Sequence, residues 1–114
     1  MGIHVLKHTK DQYIVKICDE ATATITLADM ASFDFNEDGV LDQPTKAPIA
    51  AVDMSADGVI TVDRNSERVL SLEGSVGWEP IPYSFKHNED SNVEITNQDA
   101  TFYTLVLVFS LNYD

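Results

Sequence analysis

Apolar and polar residues alternate along most of this chain, and the clearest example is the segment 49–74. Two groups of turn-forming residues, Ser55–Gly58 and Asn65–Ser66, divide this segment into three short runs. Their main apolar residues are Val52, Met54, Ile60, Val62, Val69, Leu70 and Leu72. An apolar residue at every second position gives a strand one buried face and one solvated face. The segment therefore predicts an antiparallel meander of three strands joined by two tight turns.

Similar patterns predict further strands on both sides of the meander. They cover residues 3–6, 13–18, 22–27, 93–96 and 102–111, with a short edge strand at 83–85. Residues 28–33 have apolar side chains three apart, which also fits one or two helical turns. Gly77, Pro80 and Pro82 predict a break in regular pairing over 75–82. We therefore expect an all-β fold: a single antiparallel β-sandwich over residues 1–114, jelly-roll or immunoglobulin-like, with at most one short helix.

The last predicted strand, FYTLVLVFSL at 102–111, differs from the others because it is apolar almost throughout. Such a strand is central in its sheet and covered on both faces, or it pairs across a subunit interface. The proline-interrupted segment at 75–82 leaves few strands to cover it. We therefore expect part of this strand, or the sheet face beside it, to be buried against another protein chain.

The chain carries 19 acidic and 7 basic residues, for a net charge of −12. This balance disfavours nucleic acid and anionic membranes as partners, because both require a basic surface. The acids concentrate between Asp19 and Asp63, whereas the first sixteen residues are basic. A solvated acidic face is the simplest interpretation. Cation binding and docking to a basic partner are the functional alternatives.

Neither a secretory signal nor a membrane span is expected, since the longest near-apolar run covers only residues 105–109. Cys18 is the single cysteine, so no internal disulfide can form, and we expect it to pack as a small core residue. These features predict a soluble protein made in a reducing compartment.

The sharpest local signal for chemistry is the sequence DFNEDGVLD at 34–42. It matches the first nine positions of a calcium loop, with candidate oxygen ligands at Asp34, Asn36, Asp38 and Asp42 and a glycine at the sixth position. Thr45 replaces the acid of the twelfth position, and Pro44 rules out a standard exiting helix, so the loop is not an EF-hand. A looser Ca²⁺ loop and a plain Asx-rich surface turn both remain open.

The remaining candidates favour structural interpretations. Asp53–Gly58 repeats the aspartate spacing of the calcium loop, but its flanking strands predict a hairpin turn. The histidines His4, His8 and His87 lack a metal-binding spacing, and no nucleophile motif is present, so we expect no enzyme. Trp78 is expected to plug one end of the sandwich rather than to form an exposed contact.

Several segments together suggest a family. The opening HVLKHTKDQYIVKI, the strand ATITL and the stretch VITVDRNSERVLSLEG resemble small virion structural proteins of tailed bacteriophages, especially those that infect marine bacteria. The short matches spread over most of the chain, and the DFNEDGVLDQ loop and VLVFSLNYD end depart from them. The resemblance implies a β-sandwich that decorates or joins parts of a capsid or tail, is made in the host cytoplasm and resides in the virion.

Two functions from different classes follow. The first is a non-enzymatic virion protein whose partners are other virion proteins or like subunits, as a homo-oligomer or bound to a lattice. The alternative is a Ca²⁺-stabilised binding module for carbohydrate or protein. A cluster of aromatic side chains on one exposed sheet face would favour carbohydrate binding. The candidates Tyr13, Trp78, Tyr83, Tyr103 and Tyr113 are dispersed along the sequence.

Overall fold

A computed structural model describes residues 2–31, 37–65, 67–80 and 91–113, although the side chains of residues 76 and 78–80 fall outside that description. Seven strands account for most of these residues. They are β1 (Gly2–His8), β2 (Gln12–Cys18), β3 (Thr22–Ile25), β4 (Ile49–Arg64), β5 (Glu67–Pro80), β6 (Val93–Asn97) and β7 (Tyr103–Ser110). The predicted all-β class is confirmed.

All described pairings between these strands are antiparallel. Hydrogen bonding places the strands in the order β1-β2-β7-β4-β6-β3, with β5 on the other edge of β4. The sheet curls until it is nearly closed into a barrel-like sandwich. Alternate apolar side chains of β2, β4, β6 and β7 point into one continuous core, as the alternation predicts.

The first predicted turn of the meander is wrong. Residues 49–64 form one strand, β4, which passes through Ser55–Gly58 without reversing. Its register against β5 shifts between Ser55 and Val59, so the turn-forming residues build a bulge. On the N-terminal side of the bulge β4 pairs with β7, and on the C-terminal side it pairs with β6. The second turn is confirmed: Asn65 has a φ of 51° and connects β4 to β5.

The predicted break over 75–82 does not end the strand before Pro80, but the predicted irregular pairing is present, since the register against β4 shifts between Val52 and Met54 and between Ser55 and Val59. β5 continues through it and pairs Glu79 with Val52 and Pro80 with Ala51. β5 hydrogen bonds only to β4 among the described strands. A proline, which cannot donate a backbone N–H, is tolerated on such an edge strand. Pro82 and the predicted strand at 83–85 lie outside the described residues.

The apolar last strand takes the interior position. β7 lies between β2 and β4, and its inward side chains Tyr103, Leu105, Leu107 and Phe109 are at most 1% exposed. Val106 and Val108 on the opposite face are also buried, at 7% and 9% exposure. The apolar character of β7 is therefore explained within one chain, and it no longer argues for a subunit interface at this strand.

The ambiguous segment after β3 contains a single 3-10 turn, Ala28–Met30. Thr26 and Asp29 bond reciprocally, each side chain accepting the backbone N–H of the other residue, at 3.1 and 3.0 Å. Met30 is fully buried, so the turn contributes a side chain to the core. Within the described parts of the chain, no helix is long and apolar enough to cross a membrane.

Candidate functional site

The predicted calcium loop is described only in its second half. Asp34 and Asn36 lie outside the described residues, whereas Asp38 and Asp42 lie within them. The Asp38 Oδ1 atom accepts the backbone N–H of Val40 at 2.9 Å, which is an Asx turn, and Gly39 has a φ of 85°. One carboxylate oxygen therefore stabilises the turn. The four-ligand Ca²⁺ site stays a prediction.

The described residues contain no group of three or more histidine, cysteine, aspartate or glutamate side chains that could hold a metal ion. The histidines in this part of the chain agree with that finding. His8 donates from Nε2 to the Met30 carbonyl at 3.0 Å and stacks edge-on against Tyr13, while His4 is exposed on β1. His87 lies in a part of the chain without description. His8 thus ties β1 to the 3-10 turn.

Asp57, predicted in a hairpin turn, instead holds the β6–β7 connection against β4. Its Oδ1 atom accepts the backbone N–H groups of Thr101 and Phe102 at 2.7 and 3.2 Å, and its Oδ2 atom accepts the Thr101 hydroxyl. These bonds, with the hydroxyl bond the largest contributor, lower the pKa of the Asp57 carboxyl. The carboxylate is committed to the backbone of its own chain.

Two further aspartates also accept backbone N–H groups of distant segments, and the sequence patterns did not single them out. Asp99 Oδ1 accepts the backbone N–H of Val59 at 2.6 Å, beside the same bulge. Asp19 has a φ of 54° and accepts the backbone N–H of Tyr103 at 2.7 Å. Asp19, Asp57 and Asp99, the aspartate caps, all act on the bulge or the start of β7. Part of the acidic surplus is therefore structural.

The hydroxyl of Tyr103 strengthens this corner by donating to the Glu20 carbonyl at 2.7 Å. Burial is the main reason that the pKa of Tyr103 rises to about 12. Burial also raises the pKa of Tyr13. Because both tyrosines are in the core, at 1% and 4% exposure, two of the five candidate aromatic side chains cannot form an exposed carbohydrate platform.

Arg64 is a buried cation that sequence reasoning missed. Its guanidinium is 1% exposed; Nη1 donates to the Ala47 carbonyl at 2.7 Å, and Nη2 and Nε donate to the Ser91 carbonyl at 2.7 and 3.3 Å. The signal was present, because Arg64 occupies the next inward position after Ile60 and Val62. It joins the end of β4 to the segments that precede β4 and β6.

Cys18 and Trp78 are the remaining residues that the sequence singled out. Cys18 is half-buried on the outer face of the sheet, where it pairs with Thr104 and its Sγ atom lies 4.0 Å from the Thr104 hydroxyl, so the prediction of a core cysteine is wrong. The backbone of Trp78 belongs to β5, but its side chain is among those without description, so the predicted plug is not tested.

The most exposed apolar strand surface in the described part of the chain is β1. Ile3 and Val5 pair with Ile17 and Val15, whose side chains are fully buried, so all four belong to the inner face of the sheet. Yet Ile3 and Val5 are 45% and 51% exposed, and the neighbouring Leu6 is 55% exposed. β1 therefore extends past the edge of the core, and the side chains on its inner face remain exposed to solvent.

Charge separates the first sixteen residues, which include β1, from the rest of the chain. The first sixteen residues contain three lysines, Lys7, Lys10 and Lys16, and one acid, Asp11. The remaining residues contain four basic and eighteen acidic side chains. β1 also has one unpaired edge among the described strands. An apolar, basic, open edge on an acidic domain is suited to contact with a protein surface.

No protein-family model matches this sequence, and comparison with curated proteins and with solved structures also gives no match. The geometry of the chain itself therefore carries the functional argument.

Proposed function

We propose that this chain is a non-enzymatic structural protein of a tailed-phage particle, where it decorates or joins components of the capsid or tail. The resemblance of its opening, its threonine-rich strand and its central hairpin to small virion proteins motivates the setting. The observation that carries the role is the exposed inner face of β1, where Ile3 and Val5 remain open beside an otherwise closed core. A docking domain needs such a surface on a rigid body.

The acidic side chains support the same role. Asp19, Asp57 and Asp99 accept backbone N–H groups of the chain itself, so they stabilise the fold and are not arranged around a ligand. The alternative function, a Ca²⁺-stabilised module for carbohydrate or protein, is less well supported. Tyr13 and Tyr103 are core residues, and Asp38 already bonds within its own turn.

An add-back experiment tests the proposal. Particles produced without this chain are mixed with purified recombinant chain and separated on a density gradient. We expect the chain to sediment with the particles, and we expect Val5→Glu to bind more weakly than Val40→Glu. Both valines are exposed, at 51% and 66%, and both substitutions add one negative charge. A chain that remains at the top of the gradient would argue against a particle component.

A further inference from the structure

The open edge of β1 has a complementary edge on the same molecule. β5 pairs only with β4, so its other edge is also unpaired among the strands that the structure describes. On its inner face Leu70 and Leu72 are only partly buried, since they pair with the inward residues Val62 and Ile60 at the margin of the core. β5 therefore presents partly buried apolar side chains on its inner face, as β1 presents Ile3 and Val5 on its own inner face.

The charges on the two edges are opposite. Lys7 pairs with Ile14, whose partner across β7 is Val108, so Lys7 lies on the outer face of the sheet. Glu73 pairs with Val59, between the bulge and the inward Ile60, and also lies on the outer face. Glu73 is exposed. A lysine on one strand is attracted by a carboxylate on the strand beside it, whereas two lysine-bearing edges would repel each other.

We propose that β1 of one copy adds to the open edge of β5 of a second copy, in a head-to-tail contact that extends the sheet. Ile3 and Val5 then pack beside the partner's partly buried inner-face leucines, and Lys7 meets the partner's Glu73 on the outer face. Strand addition of this kind combines backbone hydrogen bonds with side-chain packing. The inference deepens the proposed function, on which it rests for its biological setting, by naming the like-subunit surface.

Two details favour β5 as the acceptor over the other open edges. β3 has only four residues and no charged side chain within it, whereas β5 has fourteen. Pairing of β1 with another β1 would offer Lys7 no carboxylate, because β1 contains none. β1 pairs with β2 without interruption from Gly2 to Val5, so Ile3 and Val5 lie in a regular stretch of strand before the register shift at Leu6. A contact between different surfaces generates rings or filaments, which suits a particle component.

Sedimentation velocity over about a hundredfold range of protein concentration tests the contact. We expect the wild-type mass to rise above the 12.6 kDa of one chain. We expect Val5→Glu to weaken association at least tenfold and Val40→Glu to change it less than about threefold. A wild-type chain that stays monomeric throughout, or equal weakening by both substitutions, would overturn the proposal.

A charge exchange identifies the acceptor edge. Lys7→Glu and Glu73→Lys should each weaken association, and the double variant should recover most of the loss because it restores opposite charges. Both positions are exposed, so neither change alters the core. Unchanged association in Glu73→Lys, or no recovery in the double variant, would exclude β5 and point to β1–β1 pairing or to another acidic partner.

The self-association result is separable from the proposed function. A chain that is monomeric at every concentration but still sediments with particles would overturn the β1–β5 contact and leave the structural role standing. A chain that self-associates through β1 and β5 but never sediments with particles would support the β1–β5 contact and overturn the structural role in a particle.

Discussion

Gly58 lies so close to Ala100 that no larger residue fits between their backbones. A Cβ atom added at Gly58 would lie 2.7 Å from the Ala100 nitrogen, 2.8 Å from its Cα atom and 2.5 Å from Asp99 Oδ1. The φ of Gly58 is not in the left-handed region, so space and not conformation requires the glycine. This contact is where the bulge of β4 receives the β6–β7 connection.

Gly58→Ala should therefore lower the free energy of unfolding by about 1–3 kcal/mol, because the connection must shift to admit a methyl group. Urea unfolding measures the change. Gly77→Ala is the matched control, since an added Cβ at Gly77 meets nothing within 4 Å. It should change stability by less than about 0.5 kcal/mol. Equal effects of the two substitutions would show that the close contact does not matter.

The Asp57 cap should make stability depend on acid pH. Its pKa is lower in the folded chain than its ordinary value of 3.8, mainly because of the Thr101 hydroxyl bond. The contribution is therefore complete above the ordinary value and is lost as the pH falls through the lower folded value. Asp57→Asn should be less stable than wild type at pH 7, and the difference should shrink below about pH 4.

Thermal unfolding from neutral to acid pH measures this difference. Asp53→Asn, on the same strand, gives the effect of removing one negative charge from an acidic chain. A gap between wild type and Asp57→Asn that stays constant with pH would contradict the proposed cap.

Arg64→Lys should lower the free energy of unfolding by about 1–3 kcal/mol. Lysine has one ammonium group, so it cannot bond the Ala47 and Ser91 carbonyls with the fork that the guanidinium provides. Arg68→Lys is the control, because Arg68 is exposed and pairs with Asp63 at the surface. Its effect should be below about 1 kcal/mol. Urea titration of both variants decides whether the buried guanidinium matters.

Much of the fold follows from alternation, and the errors have a common physical cause. The apolar residues of β2, β6 and β7 predict those strands closely, because a two-residue period reports burial directly. The Asp57-Gly58 pair predicts a turn, but it serves a bulge whose partners, Thr101 and Ala100, are more than forty residues away in sequence. Local patterns do not carry such contacts.

The candidate interaction surface shows the same limit. Alternation places Ile3 and Val5 on an inner face, and the basic start of the chain is visible in the sequence. Their exposure, however, depends on β1 overhanging the core, which is a property of the assembled sheet. Arg64 was predictable in part, since it follows Ile60 and Val62 at the inward spacing, but its carbonyl partners come from other segments.

The calcium prediction has a direct test. If the Asp34–Asp42 loop binds Ca²⁺, millimolar calcium should raise the melting temperature by mass action, and Asp38→Ala should abolish the rise. Asp53→Ala removes a carboxylate outside the loop and should leave the rise intact. An unchanged melting temperature in calcium would identify the loop as a plain Asx turn, as the bond from Val40 to Asp38 already allows.

The central claim is that the chain is a structural component of a phage particle. Quantitative mass spectrometry of gradient-purified particles, from a phage shown to encode this sequence, tests it most directly. We predict that the chain is present at a fixed ratio to the major capsid or tail protein and that the ratio survives repeated purification. Absence of the chain from pure, infectious particles, with the chain abundant in the infected cell, would contradict the account.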